Sequence, residues 1–293
     1  MNNDIFPGWD SVTGKRISDS ELDHAFSIVK KKAGSPGLQD KNKYKRIIWS
    51  LAAACLALLS FGFGISVYSS SHRQTIVIAD SIEYSTGKGE IKEVVLPDDS
   101  KVVLNSSSLL ICPTVFGETR SVYLLGEAVF DVTASDENPF VVRTSDIKLR
   151  VHGTRFNVKA YYDDPDVRTT LCRGAVEVWP ADNSDRRIEL KPGETLTYNK
   201  EGRSMVVTKG FVAEATSWES GDLFFRSESI QGVIRILERH FNVNIYLTTD
   251  KYDDAVITAS FIHGEELEDL LKALSAVIPG MKYNIDKDIV YLK

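Results

Sequence analysis

A single uninterrupted apolar run, residues 47–68, constrains this chain more than any other feature of its 293 residues. No charged residue occurs from Ile47 through Ser71, and about 20 apolar residues suffice to cross a bilayer as a helix. Trp49 and Tyr68 lie near the two ends of the run, where interfacial aromatic residues are typical. The run therefore predicts one transmembrane helix, which would place the two remaining parts of the chain in different compartments.

The distribution of charge predicts which part lies on which side of the membrane. Residues 1–46 carry nine basic and six acidic residues, whereas residues 72–293 carry 26 basic and 35 acidic residues. Because positively charged segments stay in the cytoplasm, the N-terminal tail is predicted to be cytoplasmic and the large C-terminal part to lie outside. The acidic balance of that outer part argues against direct nucleic-acid binding.

A cleaved signal peptide is the alternative interpretation of the apolar run. Signal peptides have a short charged leader and an apolar region of about 7–15 residues. Here 46 residues precede the run, and the run itself is longer than such a region. These lengths favour a stable membrane anchor.

The cytoplasmic tail, residues 1–46, contains one predicted helix over residues 19–32. Ser18 and Glu21 have the spacing of a capping box, and apolar residues then recur at helical spacing. The apolar stripe is narrow, so the isolated helix would be marginal in water. The tail either only fixes topology or docks this helix into the groove of a partner. The candidate contact residues are Leu22, Phe26 and Val29.

Residues 75–210 are predicted to be all-β, because short alternating or β-branched runs are separated there by turn residues. Strands at this spacing are typical of a sandwich or a β-roll, and the sequence does not distinguish between these two folds. Glycines at the turns, such as Gly126 and Gly174, are expected to permit positive φ or close backbone approach.

Residues 218–293 are predicted to form a separate small α+β domain with the order β-α-β-β-α-β-β, of the split βαβ kind. Ser227 is expected to cap its first helix. The fold class of the whole chain is thus mainly β with α+β, preceded by a single transmembrane helix.

Candidate chemical groups in the outer part are few. Glu127 and Asp131 would share one face of a strand about 13 Å apart, too far for a retaining pair of carboxylates. Asp163, Asp164 and Asp166 could ligate Ca²⁺, but a solvated acidic turn is the preferred interpretation. No metal site, cofactor site or conventional catalytic motif is predicted.

The three cysteines, Cys55, Cys112 and Cys172, form neither a disulfide framework nor a metal cluster. Cys55 lies within the apolar run. Cys112 and Cys172 could pair in an oxidising compartment or could be two buried thiols, and both alternatives stay open.

A series of motifs in the outer part resembles the FecR family of regulators. In chain order the motifs of this series are Thr86–Glu90, Val95–Ser100, Val103–Ser106, Arg120, Leu125–Val132, Pro139–Val142, Gly153–Val158, Leu171–Val178, Leu190–Glu194 and Trp218–Gly221. The resemblance covers about residues 75–293. The family typically has glycine where this chain has Asp99, at a turn where positive φ is expected, and Asp tolerates that conformation better than most residues.

The resemblance implies an inner-membrane anti-sigma factor with a periplasmic bulk. Its expected partners are an extracytoplasmic-function sigma factor in the cytoplasm and the signalling domain of a TonB-dependent outer-membrane transporter in the periplasm. The cytoplasmic part is shorter than in fuller members of the family. A membrane-anchored periplasmic adaptor or envelope assembly protein without sigma binding is therefore the alternative.

The resemblance also suggests where the transporter would dock, since two such small domains could pair through sheet edges. The last strand, with Ile289, Val290 and Tyr291, is the first candidate edge, and Ile245, Tyr246 and Leu247 form the alternative. The other interpretation of Ile289 and its neighbours is an ordinary core strand.

Gly153–Thr154 falls in the segment where some FecR-family members cleave themselves. There the Thr hydroxyl attacks the preceding glycine carbonyl, an N→O acyl shift. His152 lies next to this dipeptide. An anchored self-processing hydrolase would rest on Gly153 and Thr154 alone, and the alternative is that they simply begin a strand.

Overall fold

The computed structural model describes residues 80–182, 186–262 and 264–293, and it is mainly β with few helices. We divide these residues into a β lobe, residues 80–210, and an α/β lobe, residues 211–293. The strands of the β lobe are β1 Ser81–Ser85, β2 Lys92–Val95, β3 Lys101–Leu104, β4 Leu109–Pro113, β5 Arg120–Asp131, β6 Phe140–Arg143, β7 Ile147–Val151, β8 Arg155–Ala160, β9 Asp166–Arg173, β10 Val176–Pro180, β11 Ile188–Leu190, β12 Glu194–Asn199 and β13 Ser204–Lys209.

The long strand β5 joins two sheets in the β lobe. The first sheet has the order β1-β4-β5-β6-β7-β10-β11, and the second has the order β2-β3-β5-β8-β9-β12-β13. The change from one sheet to the other occurs near Gly126, whose φ is 105°. A Cβ at this position would lie 2.7 Å from Ser108 Cα, so glycine is required both by conformation and by space.

Both sheets contribute to one hydrophobic core, as expected for a sandwich. Phe130 and Phe156 of the second sheet stack with their ring centroids 5.2 Å apart, and Phe130 also lies 6.2 Å from Phe140 of the first sheet. These three rings are fully buried. The burial of each contributes about 1.5–3 kcal/mol to folding, so this aromatic cluster holds the two sheets together.

The α/β lobe has the predicted order β-α-β-β-α-β-β, preceded by a short helix and a turn of 3₁₀ helix at Ser217–Ser220. Its elements are α1 Val212–Ala215, β14 Leu223–Ser229, α2 Ile230–Phe241, β15 Asn244–Leu247, β16 Val256–Phe261, α3 Leu267–Val277, β17 Tyr283–Asp286 and β18 Ile289–Leu292. A second hydrophobic core lies within this lobe. All described residues nevertheless belong to one compact unit.

Helix α2 begins at a cap different from the expected one. The side chain of Ser229, not that of Ser227, accepts a hydrogen bond from the Gly232 backbone N–H at 3.1 Å. Ser227 lies inside β14 at φ 48°, where the register with β16 shifts. The pattern of apolar residues alone could not show that the strand continues through this bulge.

The strands of the α/β lobe form two small sheets. Strand β14 pairs with β16, and a three-stranded sheet has the order β15-β18-β17. The expectation that Ile289–Leu292 forms a sheet edge is wrong, because β18 pairs in parallel with β15 on one side and antiparallel with β17 on the other.

The tail helix predicted over residues 19–32, with Leu22, Phe26 and Val29, lies outside the described residues, as does the apolar run at 47–68. Within the part of the chain that the structure describes, no helix is long and apolar enough to span a membrane.

Candidate functional site

Strand β15 is an open edge of the three-stranded sheet and carries an exposed aromatic residue. Tyr246 is 54% exposed and stacks on Tyr291 of β18 with ring centroids 5.9 Å apart. Ile245 and Val290, which alternate with these tyrosines, are buried in the core of the α/β lobe. The alternation leaves an aromatic pair on the outer face of the sheet.

The backbone of β15 presents part of its edge to a partner. The N–H groups of Asn244 and Thr248 donate to Asp288 and Leu292 carbonyls at 2.8 and 2.9 Å, so those of Ile245 and Leu247 point away from β18. The Ile245 N–H donates to Glu238 Oε1 of α2 at 2.8 Å. Because the Ile245 N–H is occupied, the outward N–H and carbonyl of Leu247 form the centre of the accessible edge.

The N-terminal end of β15 is held by the β lobe. Lys88 Nζ lies 3.2 Å from the Val243 carbonyl and 3.3 Å from Asn244 Oδ1. The N–H of Gly89 donates to the Arg239 carbonyl at 2.8 Å, near the end of α2. One loop of the β lobe thus contacts both α2 and the strand that follows it.

Asp164 is the centre of the contact between the two lobes. Its carboxylate accepts hydrogen bonds from Arg239 at 3.0 and 3.3 Å and from Arg235 at 3.0 Å, and it lies 3.2 Å from Lys159 Nζ. Its side chain is only 4% exposed. Burial acts to raise the pKa of Asp164, but the charges of Lys159 and Arg239 outweigh it and lower this pKa to about 2. Asp164 is therefore a buried, ionised anchor for helix α2.

The Arg239 guanidinium also stacks on an aromatic ring. It lies 3.8 Å from the centroid of Tyr161, whose hydroxyl donates to the Ser106 carbonyl at 2.8 Å. Tyr161 is buried, and its pKa is raised by that burial first and then by the charge of Glu127. Arg239 is thus fixed by a carboxylate and a ring, an arrangement that lysine could not reproduce.

Two more ion pairs cross between the lobes. Arg155 Nη2 lies 2.9 and 3.0 Å from the two carboxylate oxygens of Glu219, and Arg168 Nη1 lies 3.2 Å from Glu228 Oε2. These pairs could not be predicted from the sequence, because their members are about 60 residues apart. The signal available in the sequence was Asp166 and Arg168 on either side of Val167, which places both charges on one face of β9.

The preferred interpretation of the acidic turn at residues 163–166 is wrong. Asp164 is buried against arginines, and Asp166 is bonded to Arg168 at 3.1 Å, so the turn is an ion-pair cluster rather than a solvated loop. Among the described residues no group of acidic, His or Cys side chains could hold a metal ion.

Comparison with known proteins places these features in a family. Residues 82–177 match the FecR protein family model, and residues 222–292 match the model for the FecR C-terminal region. The chain belongs to the FecR family. The FecR family is a regulatory family rather than an enzymatic one. Membership of it gives this chain the role of a sigma-factor regulator.

Two crystal structures of a candidate anti-sigma factor from Parabacteroides distasonis, at 1.65 and 2.50 Å resolution, resemble this FecR-family chain. Both are 31% identical to it, with TM-scores of 0.68 and 0.69. The alignments cover 72% and 73% of this chain and 98% of each solved chain. A comparison with curated protein sequences gave no match.

Residues of the FecR motifs have structural roles in the β lobe. Arg120 and Asp98 form a buried ion pair at 2.7 Å, and Arg120 also donates to the carbonyls of Thr133 and Asn138. Asp99 has φ 63°, so the turn has the left-handed conformation that the sequence analysis expected there.

The carboxylates of β5 are also bound by neighbouring side chains. Glu127 is buried and accepts hydrogen bonds from Asn105 at 2.8 Å and Asn157 at 3.0 Å. Asp131 pairs with Arg155 and Arg173. These contacts are those of a structural network on the outer face of the second sheet.

The Gly153–Thr154 dipeptide lies between β7 and β8 of the FecR-family chain. Thr154 is 1% exposed, and its hydroxyl donates to the Ala175 carbonyl at 2.9 Å. His152 is exposed, and its Nδ1 lies 3.3 Å from the Ser135 carbonyl. In this geometry the Thr154 hydroxyl is bonded to a carbonyl, and His152 contacts a different loop.

The two cysteines of the β lobe are free thiols. Burial raises the pKa of Cys112 to about 11, with a smaller contribution from Asp98. Burial also raises the pKa of Cys172. The sequence left open whether Cys112 and Cys172 form a disulfide or stay unpaired, and in the structure both are unpaired.

Proposed function

We propose that this chain is a single-pass inner-membrane anti-sigma factor that relays the state of a TonB-dependent outer-membrane transporter. Its N-terminus lies in the cytoplasm and binds an extracytoplasmic-function sigma factor. Its two lobes lie in the periplasm and bind the signalling domain of the transporter. FecR-family membership supports the sigma-regulator part, and the apolar run at 47–68 with its basic flank supports the topology.

The observation that carries the transporter contact is the open edge at β15. Leu247 directs its backbone groups away from the sheet, and Tyr246 adds an exposed ring beside them. A strand from the transporter would gain main-chain hydrogen bonds at this edge, while the tyrosine would contribute specificity. The central strand β18, which contains Ile289, Val290 and Tyr291, pairs with β15 on the side away from this edge.

The contacts between the lobes supply a route for the signal. Strand β15 follows α2 in the chain. Helix α2 is held through Arg239, whose side chain donates to Asp164 and whose carbonyl accepts a hydrogen bond from the Gly89 N–H. A partner strand at β15 would therefore act on an element fixed to both lobes. We propose that docking alters the Asp164–Arg239 contact and that this change is relayed through the β lobe toward the membrane.

On the cytoplasmic side, the helix at residues 19–32 is the proposed sigma-binding element. Leu22, Phe26 and Val29 would bury their side chains in a groove of the sigma factor. This single helix would replace the larger helical domain of fuller family members.

Topology is tested with reporter fusions to the full chain. Alkaline phosphatase fused after Lys293 should be active, because it folds only in the periplasm. A fluorescent protein that folds only in the cytoplasm should show no fluorescence when fused at the same position. The reverse pattern would overturn the proposed arrangement.

A further inference from the structure

A cleft of about 470 Å³ lies between the two lobes. One wall is the outer face of the second sheet, where β9 and β12 present Thr170 and Thr197. The other wall comes from the α/β lobe and includes Trp218 and Phe224. The volume falls within the range of about 300–1,000 Å³ that is typical of small-molecule sites.

Three of the four cationic side chains that line the cleft already have anionic partners, and the fourth, Lys209, is exposed to solvent. Arg168 lies 3.1 Å from Asp166 and 3.2 Å from Glu228, and Lys159 lies 3.2 Å from Asp164. Arg226 is likewise paired with a carboxylate of the cleft, that of Glu214, at 2.9 Å. An anionic ligand would have to break these pairs, so the cleft favours a neutral molecule.

Hydroxyl and amide groups provide the polar surface of the cleft. Thr170 and Thr195 share a hydrogen bond between their hydroxyls at 2.8 Å, and Thr197 lies beside them on β12. Asn157 Oδ1 and Trp218 Nε1, one acceptor and one donor on buried side chains of the cleft, have no partner among the described residues. Because these two atoms are themselves shielded, the groups that a ligand could reach are hydroxyls such as that of Thr197, and a hydroxyl can both donate and accept hydrogen bonds.

Aromatic rings complete the lining at the α/β lobe. Phe211 is 47% exposed and has the Arg226 guanidinium 3.8 Å from its ring centroid, and Phe224 is half-buried. A ligand with both C–H faces and hydroxyl groups would contact rings and threonines together. We infer that the cleft between the lobes binds a neutral, hydroxyl-rich small molecule of the size of a mono- or disaccharide.

Such a ligand would contact both lobes at once and would stabilise their arrangement through linkage. This inference does not depend on the proposed transporter contact, since it rests on the cleft rather than on the edge at β15.

The test is isothermal titration calorimetry on the full chain in a detergent without sugar head groups, such as an amine oxide. The probes are glucose, galactose, N-acetylglucosamine, maltose and lactose, with glucuronate and inorganic phosphate as charged comparisons. We expect at least one neutral sugar to bind saturably. Thr197→Val should weaken that binding by about threefold to tenfold, as expected for the loss of one hydrogen bond, and Thr197→Phe should abolish it.

Thr133→Val, at an exposed threonine outside the cleft, is the matched control and should bind like the unchanged chain. Unchanged thermal unfolding without sugar shows that each variant is folded. The inference is overturned if no neutral sugar binds, if only the charged probes bind, or if folded Thr197 variants bind normally.

Discussion

Arg239 of helix α2 donates to both carboxylate oxygens of Asp164, at 3.0 and 3.3 Å, across the contact between the two lobes. The side chains are 10% and 4% exposed, so this pair is shielded from solvent on both sides. Loss of one member would leave the other charge buried without its partner, which is more costly than loss of a surface pair.

The first prediction follows from this burial. Asp164→Asn should lower the free energy of unfolding by about 3–5 kcal/mol, because Arg239, Arg235 and Lys159 lose their shared carboxylate. Urea unfolding of residues 72–293, followed by tryptophan fluorescence, measures the change. Asp163→Asn is the control, since the side chain of Asp163 is 58% exposed and its pair with Arg239 should contribute no more than about 1 kcal/mol. Equal effects of the two substitutions would contradict the assignment of Asp164 as the anchor.

The second prediction concerns acid. The pKa of Asp164 is lowered from 3.8 to about 2 on folding, so its ionised form stabilises the fold above pH 4 and this contribution is lost as pH falls toward 2. Between pH 5 and 2 the unchanged protein should lose about 2 kcal/mol more than Asp164→Asn does. Parallel acid profiles of the two proteins would show that Asp164 carries no such contribution.

The third prediction separates the two edges of the three-stranded sheet. Leu247→Pro removes an outward N–H from β15 and should abolish the transcriptional response to the transporter. Ile285→Pro makes the matched change on the opposite edge, β17, and should leave the response intact. Val290→Pro falls in the central strand and should unfold the α/β lobe, as circular dichroism would show. A normal response from a folded Leu247→Pro variant would exclude β15 as the docking edge.

The fourth prediction concerns the cytoplasmic tail. Replacement of both Leu22 and Phe26 by Asp should release the sigma factor and switch its target genes on constitutively, because each buried apolar side chain contributes about 1.5–3 kcal/mol. Ser20 and Ser27 lie on the opposite side of the predicted helix. Their replacement by Asp adds the same two charges and should leave regulation unchanged. Transcription is measured by a reporter at equal protein levels, and identical output from both double variants would exclude this helix as the contact.

The order of elements could be predicted from the sequence because it depends on local patterns. Alternation marked the strands of the β lobe, and apolar spacing marked α2 and α3. The conformation expected at Asp99 and the close approach expected at Gly126 are both present, since turn geometry is also local.

The position of β18 and the role of Asp164 could not be predicted, because both depend on distant partners. The last strand of a chain need not lie at the edge of its sheet, and β18 is covered by its parallel pairing with β15. Asp164 lies in a turn with acidic neighbours and a proline, which is typical of solvated loops. Its main partner, Arg239, is 75 residues away.

The most direct test of the proposed function is capture of the sigma factor by the full chain. The chain, tagged after Lys293, is purified from membranes in mild detergent, and bound proteins are identified by mass spectrometry. We expect an extracytoplasmic-function sigma factor to be retained by the unchanged chain and by the variant with Ser20→Asp and Ser27→Asp, and to be lost from the variant with Leu22→Asp and Phe26→Asp. Membrane-inserted chain that retains no sigma factor would contradict the proposal and favour a periplasmic adaptor.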